Sequence, residues 1–337
     1  MHMFTRSFVL AAAAGISFAG VADAAVTGAG SSFVYPVLSR WAADFKKAGG
    51  DDINYQSVGS GAGIAQIKAG TVDFGASDKP LTPEELSAAG LVQFPVVVGG
   101  IVPVINLSGL RPGRLHLTGP VLAGIFAGQV KKWNDPVITK LNPGLKMPDL
   151  AISVVHRSDG SGTTYNFTHY LGQASKGWKD QIGEGTTVNW PAGVGGKGNE
   201  GVAAYVKQIS GSIGYVEYAY ALQNKMSHAV VQNKAGKFVQ PNNASFSAAA
   251  ATVDWAHARD FYQLMTNAPG ANAWPIAATT WVMMYKQPKN AAASASARKF
   301  FNWSMTKGQR QAVALDYVPL PAALVTRIQA YIASNIK

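Results

Sequence analysis

The chain has 337 residues, 47% of them apolar and only 14% charged, which excludes a disordered chain and favours a large core in two domains. It holds no cysteine and six histidines, which excludes a disulfide framework and argues against a zinc site. The formal charge is +11, but no basic run is longer than Lys46-Lys47 or Lys131-Lys132, so the surface attracts anions mildly and lacks the clustered footprint of a nucleic-acid binder.

Residues 1–24 read as a secretory signal peptide. Arg6 supplies the positive start, residues 8–22 are apolar and small, and Ala22-Asp23-Ala24 is a cleavage site that leaves Ala25 first. The apolar part is too short and too alanine-rich for a membrane span. Arg6 and Asp23 cancel, so the charge is +11 with or without this segment. With no cysteine to carry a lipid, the expectation is a freely diffusing periplasmic protein that is not a lipoprotein.

The mature chain opens with a short strand, a glycine turn and Ser31-Ser32, placed to cap an amphipathic helix over residues 33–47 with Val37, Leu38, Trp41 and Phe45 at helical spacing. A strand over 53–58 follows, then the turn Gly59-Ser60-Gly61 and a helix to residue 69. These glycines do not form the dinucleotide fingerprint. A third strand, 71–76, ends in Ser77-Asp78 ahead of a proline-led helix over 83–89; alone, Asp78 reads as a turn or cap aspartate. Residues 91–107 form an apolar β run, broken by Gly99-Gly100, that is too long for one ordinary strand. Short helices follow at 118–128 and 135–141.

The stretch 151–164 is the richest. An apolar strand, 151–155, runs into a turn holding Arg157, Asp159 and Gly160, and Ser161 stands at the N-cap of a helix over 163–171. The first N–H groups of a helix lack internal partners and its dipole favours negative charge, so this geometry binds anions. Gly162 allows close backbone approach, Ser161, Thr163 and Thr164 add hydroxyls, and Arg157 offers a planar fork that Asp159 can hold in place. Taken alone, a capped surface helix with a local Arg–Asp pair explains the stretch equally well. Three strand–glycine–hydroxyl–helix junctions in one chain are harder to dismiss.

Beyond it, residues 178–185 are helical then irregular. The glycine-rich segment 191–201 is a loop, and not a Walker loop, since Gly198 follows Lys197 where Ser or Thr is required. A helix at 202–208, a strand at 213–216, a polar surface hairpin within 223–243 and two helices within 245–265 come next. A second long apolar β run covers 274–285, and helices at 292–303, 307–315 and 319–336 close the chain.

Strands alternating with helices give an α/β fold, and ligands of such sheets bind beyond the carboxyl ends of the strands, where all these junctions lie. Two apolar β runs far apart in sequence imply two crossings between lobes, with residues 25–100 and 275–337 forming a discontinuous first lobe and 101–274 the second. A serine hydrolase or phosphatase built on Ser161 is a weaker reading. The Gly-x-Ser-x-Gly elbow is absent, His169 lies two helical turns on, and His156 alternates in direction with Arg157 along the strand. A binding protein for another oxyanion and an adhesive secreted protein complete the alternatives.

The motifs Thr27-Gly-Ala-Gly30, Val72-Asp-Phe-Gly-Ala-Ser-Asp78, Gln93-Phe-Pro95, Lys131-Lys-Trp133, Leu141-Asn-Pro-Gly-Leu145, Asp159-Gly-Ser-Gly-Thr163, Gly195-Gly-Lys-Gly-Asn199 and Gly214-Tyr-Val-Glu-Tyr-Ala-Tyr220 span nearly the whole mature chain. Together they resemble the periplasmic phosphate-binding proteins of bacterial high-affinity phosphate ABC transporters. The resemblance implies a two-lobed binding-protein fold of the type 2 kind, each lobe a mixed sheet flanked by helices, with two crossover strands as hinge. It implies inorganic phosphate as ligand, a membrane permease with its ATPase subunits as partners, a monomer, and no cofactor, metal, nucleic acid or catalysis. It places the ligand against Ser32, Phe33, Ser60, Asp78, Arg157, Ser161, Gly162 and Thr163, with Asp159 supporting Arg157. The family pattern has threonine at the position of Ser32; the hydroxyl is kept. Asp78 would then accept a hydrogen bond from the protonated phosphate and reject sulfate, which carries no proton at neutral pH.

Overall fold

The structure, a computed structural model, describes residues 25–337, so the expected signal peptide lies outside the described residues. In chain order the strands are β1 (Val26–Gly30), β2 (Ile53–Ser57), β3 (Phe74–Ser77), β4 (Leu91–Ile105), β5 (His116–Leu117), β6 (Ser153–Arg157), β7 (Val194–Gly196), β8 (Ser212–Glu217), β9 (Ser227–His228), β10 (Val230–Gln232), β11 (Phe238–Val239) and β12 (Ala277–Tyr285). One mixed sheet runs β2-β1-β3-β12-β4-β8-β6-β7, with β9 also on β4, and a small sheet runs β11-β10-β5. Helices pack on it, giving the two-lobed α/β fold.

The sheet is parallel at both ends and antiparallel in the middle. β1 pairs in parallel with β2 and β3, and β6 with β7 and β8. Between them lie the antiparallel pairs of β12 with β3 and β4, and of β4 with β8. β4 is the element common to both halves, and all of its residues are buried. Its residues from Leu91 to Gly100 face β12, whereas Ile101 to Ile105 face β8. The run that looked too long for one strand is thus one strand serving two neighbours in turn. The second apolar run gives a shorter strand than the sequence implies. β12 begins only at Ala277, opposite Gly100, and the Ile101 N–H donates to Ile276 O at 2.9 Å. Pro275 has no N–H for a ladder, and the buried Trp274 spends its Nε1–H on Ile101 O at 3.0 Å.

Local sequence explains most helices. In Tyr35–Lys47 the buried positions are Val37, Leu38, Trp41 and Phe45, and Trp41 Nε1 donates to Gly308 O, tying this helix to the C-terminal segment. In Pro83–Ala89 the Thr82 and Glu85 side chains form a capping box and Gly90 ends the helix in the left-handed conformation. A continuous apolar core underlies both halves of the sheet, and a smaller cluster of Ala29, Ile67, Val72, Leu81, Leu86, Leu91 and Met283 packs separately.

Four expectations need correction. Neither Ser31 nor Ser32 caps the first helix, which starts at Tyr35 behind Val34 with no side-chain cap. Segment 191–201 is ordered: it supplies β7, and a helix begins at Gly198. Within 223–243, β9 joins β4 and only β10 and β11 form the hairpin, while Val230 and Val231 are buried. Within 245–265 there is one α-helix, Asn243–Ala250, followed by irregular chain and a single 3-10 turn. The backbone carbonyls that a second helix would use are taken by side chains. Trp255 O accepts from Arg327 Nη1, Asp260 O from Gln93 Nε2 at 3.1 Å and Phe261 O from Trp281 Nε1 at 3.0 Å.

Candidate functional site

The site forms where β1, β3 and β6 end and three chain segments begin their helical turns. From the first half come Ser31 and Ser32 after β1, Ser60 at the start of Ser60–Ala69, and Asp78 just past β3. From the second come Arg157 at the end of β6, the Asp159–Ser161 turn, and Gly162 and Thr163 opening the helix Gly162–Ala174. All eight expected ligand residues lie together. Ser32, Ser60, Asp78, Arg157, Ser161 and Thr163 are polar side chains no more than 4% exposed. Buried polar groups need partners, so their hydrogen bonds define the site.

The halves touch closely here. The Gly61 N–H donates to Gly160 O at 2.8 Å, and Asn166 Nδ2 reaches across to Asp78 O at 2.6 Å. A Cβ on Gly162 would lie 2.5 Å from Ser60 Oγ and 2.7 Å from the Asp78 N atom, so only glycine permits this approach. Gly59, at φ +89°, is likewise pressed against the Asp159 carboxylate.

The two carboxylates behave oppositely. Asp159 accepts the Arg157 fork, Nε to Oδ1 at 2.8 Å and Nη2 to Oδ2 at 2.5 Å, and Oδ1 also takes the Gly198 N–H at 3.0 Å. Burial pushes its carboxyl up, but the hydrogen bonds and charge of Arg157 and the Gly198 N–H outweigh that and hold it below the ordinary range. Asp78, 1% exposed, has no guanidinium bonded to it. Its Oδ1 accepts Ser31 Oγ–H and Thr280 Oγ1–H, both at 2.6 Å, and Oδ2 has only a long 3.4 Å bond from Ser60. Burial pushes its carboxyl up to about 6, against the lowering influence of Ser31, Thr280, the Arg157 charge and Ser60.

The Gly162 backbone, next to Asp78, opens a run of donors. Ser161 Oγ caps its helix by accepting the Thr164 N–H at 3.0 Å, and the first intrahelical bond is made by Tyr165, so the N–H groups of Gly162 and Thr163 precede the helical ladder. Arg157 Nη1 lies 3.3 Å from Thr163 Oγ1, and the end of β6 is fixed by Tyr215, whose hydroxyl takes the Arg157 N–H at 3.2 Å. Phe33 is fully buried and its N–H donates to Ser31 Oγ at 3.0 Å.

Sequence reasoning missed four members. Ser31 and Thr280 hold Asp78, Asn166 bonds the Asp78 carbonyl, and Asn199 bonds Ser32 and Thr163. The signals were faint: a polar Thr279-Thr280 pair inside an apolar strand, and an asparagine ending a glycine-rich segment. The histidines are elsewhere. His156 stacks on Trp190 at 4.9 Å, and His169 bonds Thr266 Oγ1 at 2.6 Å. Among the described residues no group of three or more His, Cys, Asp or Glu can hold a metal, and no helix is long and apolar enough to cross a membrane.

Comparison with known proteins gives one direction. A family model for the PBP superfamily domain matches residues 18–307. The phosphate-binding protein PstS of Xylella fastidiosa (strain 9a5c) is 60% identical over 93% of this chain and 86% of its own length. PstS of Haemophilus influenzae is 51% identical over 93% of each chain. Among solved structures, a phosphate ABC transporter substrate-binding protein from Clostridium perfringens, described as putative and holding phosphate, aligns over 88% of this chain and all of its own at 20% identity and TM-score 0.64. The high-affinity periplasmic phosphate-binding protein PfluDING, also with phosphate, aligns over 91% and 93% at 21% identity and TM-score 0.74. At such identities the structures speak for the fold alone, while the sequence relatives decide the family: the chain belongs to the PstS phosphate-binding proteins of the PBP superfamily.

Proposed function

We propose that this protein binds inorganic phosphate in the periplasm, selects it over sulfate, and hands it to the permease of an ABC transporter. Residues 25–100 and 275–337 act as one lobe and 101–274 as the other, closing over the ion as a monomer. The observation that carries this reading is the buried Asp78 carboxylate, whose Oδ2 has only a 3.4 Å bond from Ser60, among buried hydroxyls and a guanidinium. Ser32, Ser60, Ser161 and Thr163 supply hydroxyls, Gly162 and Thr163 supply N–H groups, Phe33 walls the site, and Arg157 supplies charge under the hold of Asp159. Each charge-assisted bond is worth roughly 1.5–3 kcal/mol, and micromolar affinity requires about 8 kcal/mol net, so a few suffice after the cost of closure.

Selectivity follows from the proton. Monohydrogen and dihydrogen phosphate each donate a hydrogen bond to Oδ2. Sulfate has none to give and would set like charge against a buried carboxylate. The family resemblance and the PstS names of the relatives support the same ligand. A catalytic reading finds no support, because neither His156 nor His169 is bonded to Ser161. Titration calorimetry with phosphate, sulfate and arsenate tests the proposal. Phosphate binds tightly, arsenate is discriminated weakly because it carries the same protons, and sulfate gives no heat. Absence of phosphate binding, or equal binding of sulfate, overturns it.

A further inference from the structure

We propose that Asn199 is a positioning residue that fixes the direction of the hydroxyl protons in this site; the inference rests on the phosphate reading above. Asn199 is fully buried at the start of the helix Gly198–Gln208 and lies outside the expected ligand set. Its amide N–H donates to Ser32 Oγ at 3.1 Å, and its side-chain Nδ2 donates to Ser32 Oγ at 2.8 Å and to Thr163 Oγ1 at 3.2 Å.

A hydroxyl has two lone pairs and one proton. On Ser32 Oγ, Asn199 occupies both lone pairs. On Thr163 Oγ1 it occupies one, and Arg157 Nη1 approaches the other at 3.3 Å. Each hydroxyl is left with a single capability, to donate. Neither rotates its proton into the protein without giving up a bond from behind, so both present protons to an anion before it arrives. Such preorganisation raises affinity for a ligand that only needs donors.

The carboxamide itself is held one way round. Its Oδ1 accepts the Glu217 N–H at 2.9 Å. A flipped amide would set N–H against N–H there and turn its oxygen toward the two hydroxyls. The chain of command therefore runs from the backbone at the end of β8, through Asn199, to hydroxyls from opposite halves of the molecule. It is complete only when Ser32 and Thr163 are brought together, which links proton order to lobe closure.

A double-mutant cycle separates this role from a packing strut. Phosphate affinity is measured by calorimetry for wild type, Asn199→Ala, the Ser32→Ala/Thr163→Val double variant, and the combination, each checked for folding by circular dichroism. Asn199→Ala weakens binding by about tenfold or more in the wild-type background, the scale of one or two hydrogen bonds. With both hydroxyls removed, the same substitution costs less than about threefold, because its targets are gone. An equal cost in both backgrounds overturns the proposal and leaves Asn199 a strut. If Asn199→Ala does not fold, Asn199→Asp is carried through the same cycle: it keeps the shape and the acceptor for the Glu217 N–H, loses the side-chain donors, and adds a charge whose repulsion acts in both backgrounds, so an equal cost in both again overturns the proposal. A wild-type protein that gives no heat with phosphate is a different failure, that of the phosphate reading itself.

Discussion

The two halves of the molecule bring unlike chemistry to the same point. The second half brings a guanidinium clamped by Asp159, a capped helix start and a threonine hydroxyl. The first brings a buried carboxylate held by hydroxyls, with no cation bonded to it. On the phosphate reading proposed above, the guanidinium would attract any tetrahedral anion, and the Asp78 carboxylate would decide which one stays. The cost falls unevenly. Asp159 gains from its surroundings, whereas Asp78 is kept in an environment that disfavours its charge.

The largest test removes the attraction. Arg157→Ala should weaken phosphate binding by roughly 100-fold or more in calorimetry, because charge-assisted bonds go and the partly buried Asp159 carboxylate loses its partner. A loss of under tenfold would mean that the helix start and hydroxyls bind the ion unaided. Next, Gly162→Ala attacks the meeting of the halves. Its Cβ would sit 2.5 Å from Ser60 Oγ, so the affinity should drop by roughly tenfold or more while the melting temperature without ligand stays nearly unchanged.

Asp78→Asn sharpens the contrast. Sulfate binding should appear, and refusal of sulfate as firm as in wild type would remove Asp78 from the selectivity role. Stability without ligand should move the other way. The Asp78 carboxyl is raised from 3.8 to about 6, so the folded state holds a proton that the unfolded chain releases. Its contribution is fully present below pH 3.8 and lost as pH rises through about 6. The amide does not ionise. Asp78→Asn should therefore match wild type near pH 4 and exceed it above pH 6 by on the order of 2–3 kcal/mol, read as a melting temperature a few degrees higher. A constant difference across that range would show that burial does not govern Asp78. The smallest effect is expected from Ser161→Ala, about 1 kcal/mol of stability for the lost cap, seen in denaturant midpoints, with a modest loss of phosphate affinity.

Much of the site was readable because it is local. Arg157, Asp159 and Ser161 lie within five residues of one another, and turn, fork and cap follow from chemistry along the chain. The amphipathic helix Tyr35–Lys47 and the long buried β4 were readable for the same reason, as spacing and length are properties of a segment. The serines after β1 misled, since Ser-Ser before an apolar-periodic stretch is also what a helix cap looks like. Their hydroxyls go instead to Asp78 and Asn199, partners 47 and 167 residues away. Segment 251–265 misled in the other direction, its backbone being held by Arg327, Gln93 and Trp281.

By itself the sequence determined the α/β alternation, the glycine–hydroxyl junctions, the Arg157–Asp159 pair and the family. Only the tertiary structure decided which lone pairs of Asp78 are already filled, that Thr280, 202 residues on, fills one of them, and that Asn199 donates to both Ser32 and Thr163. A hydrogen bond has a range of about 3 Å and a direction, and only packing brings such distant groups within it.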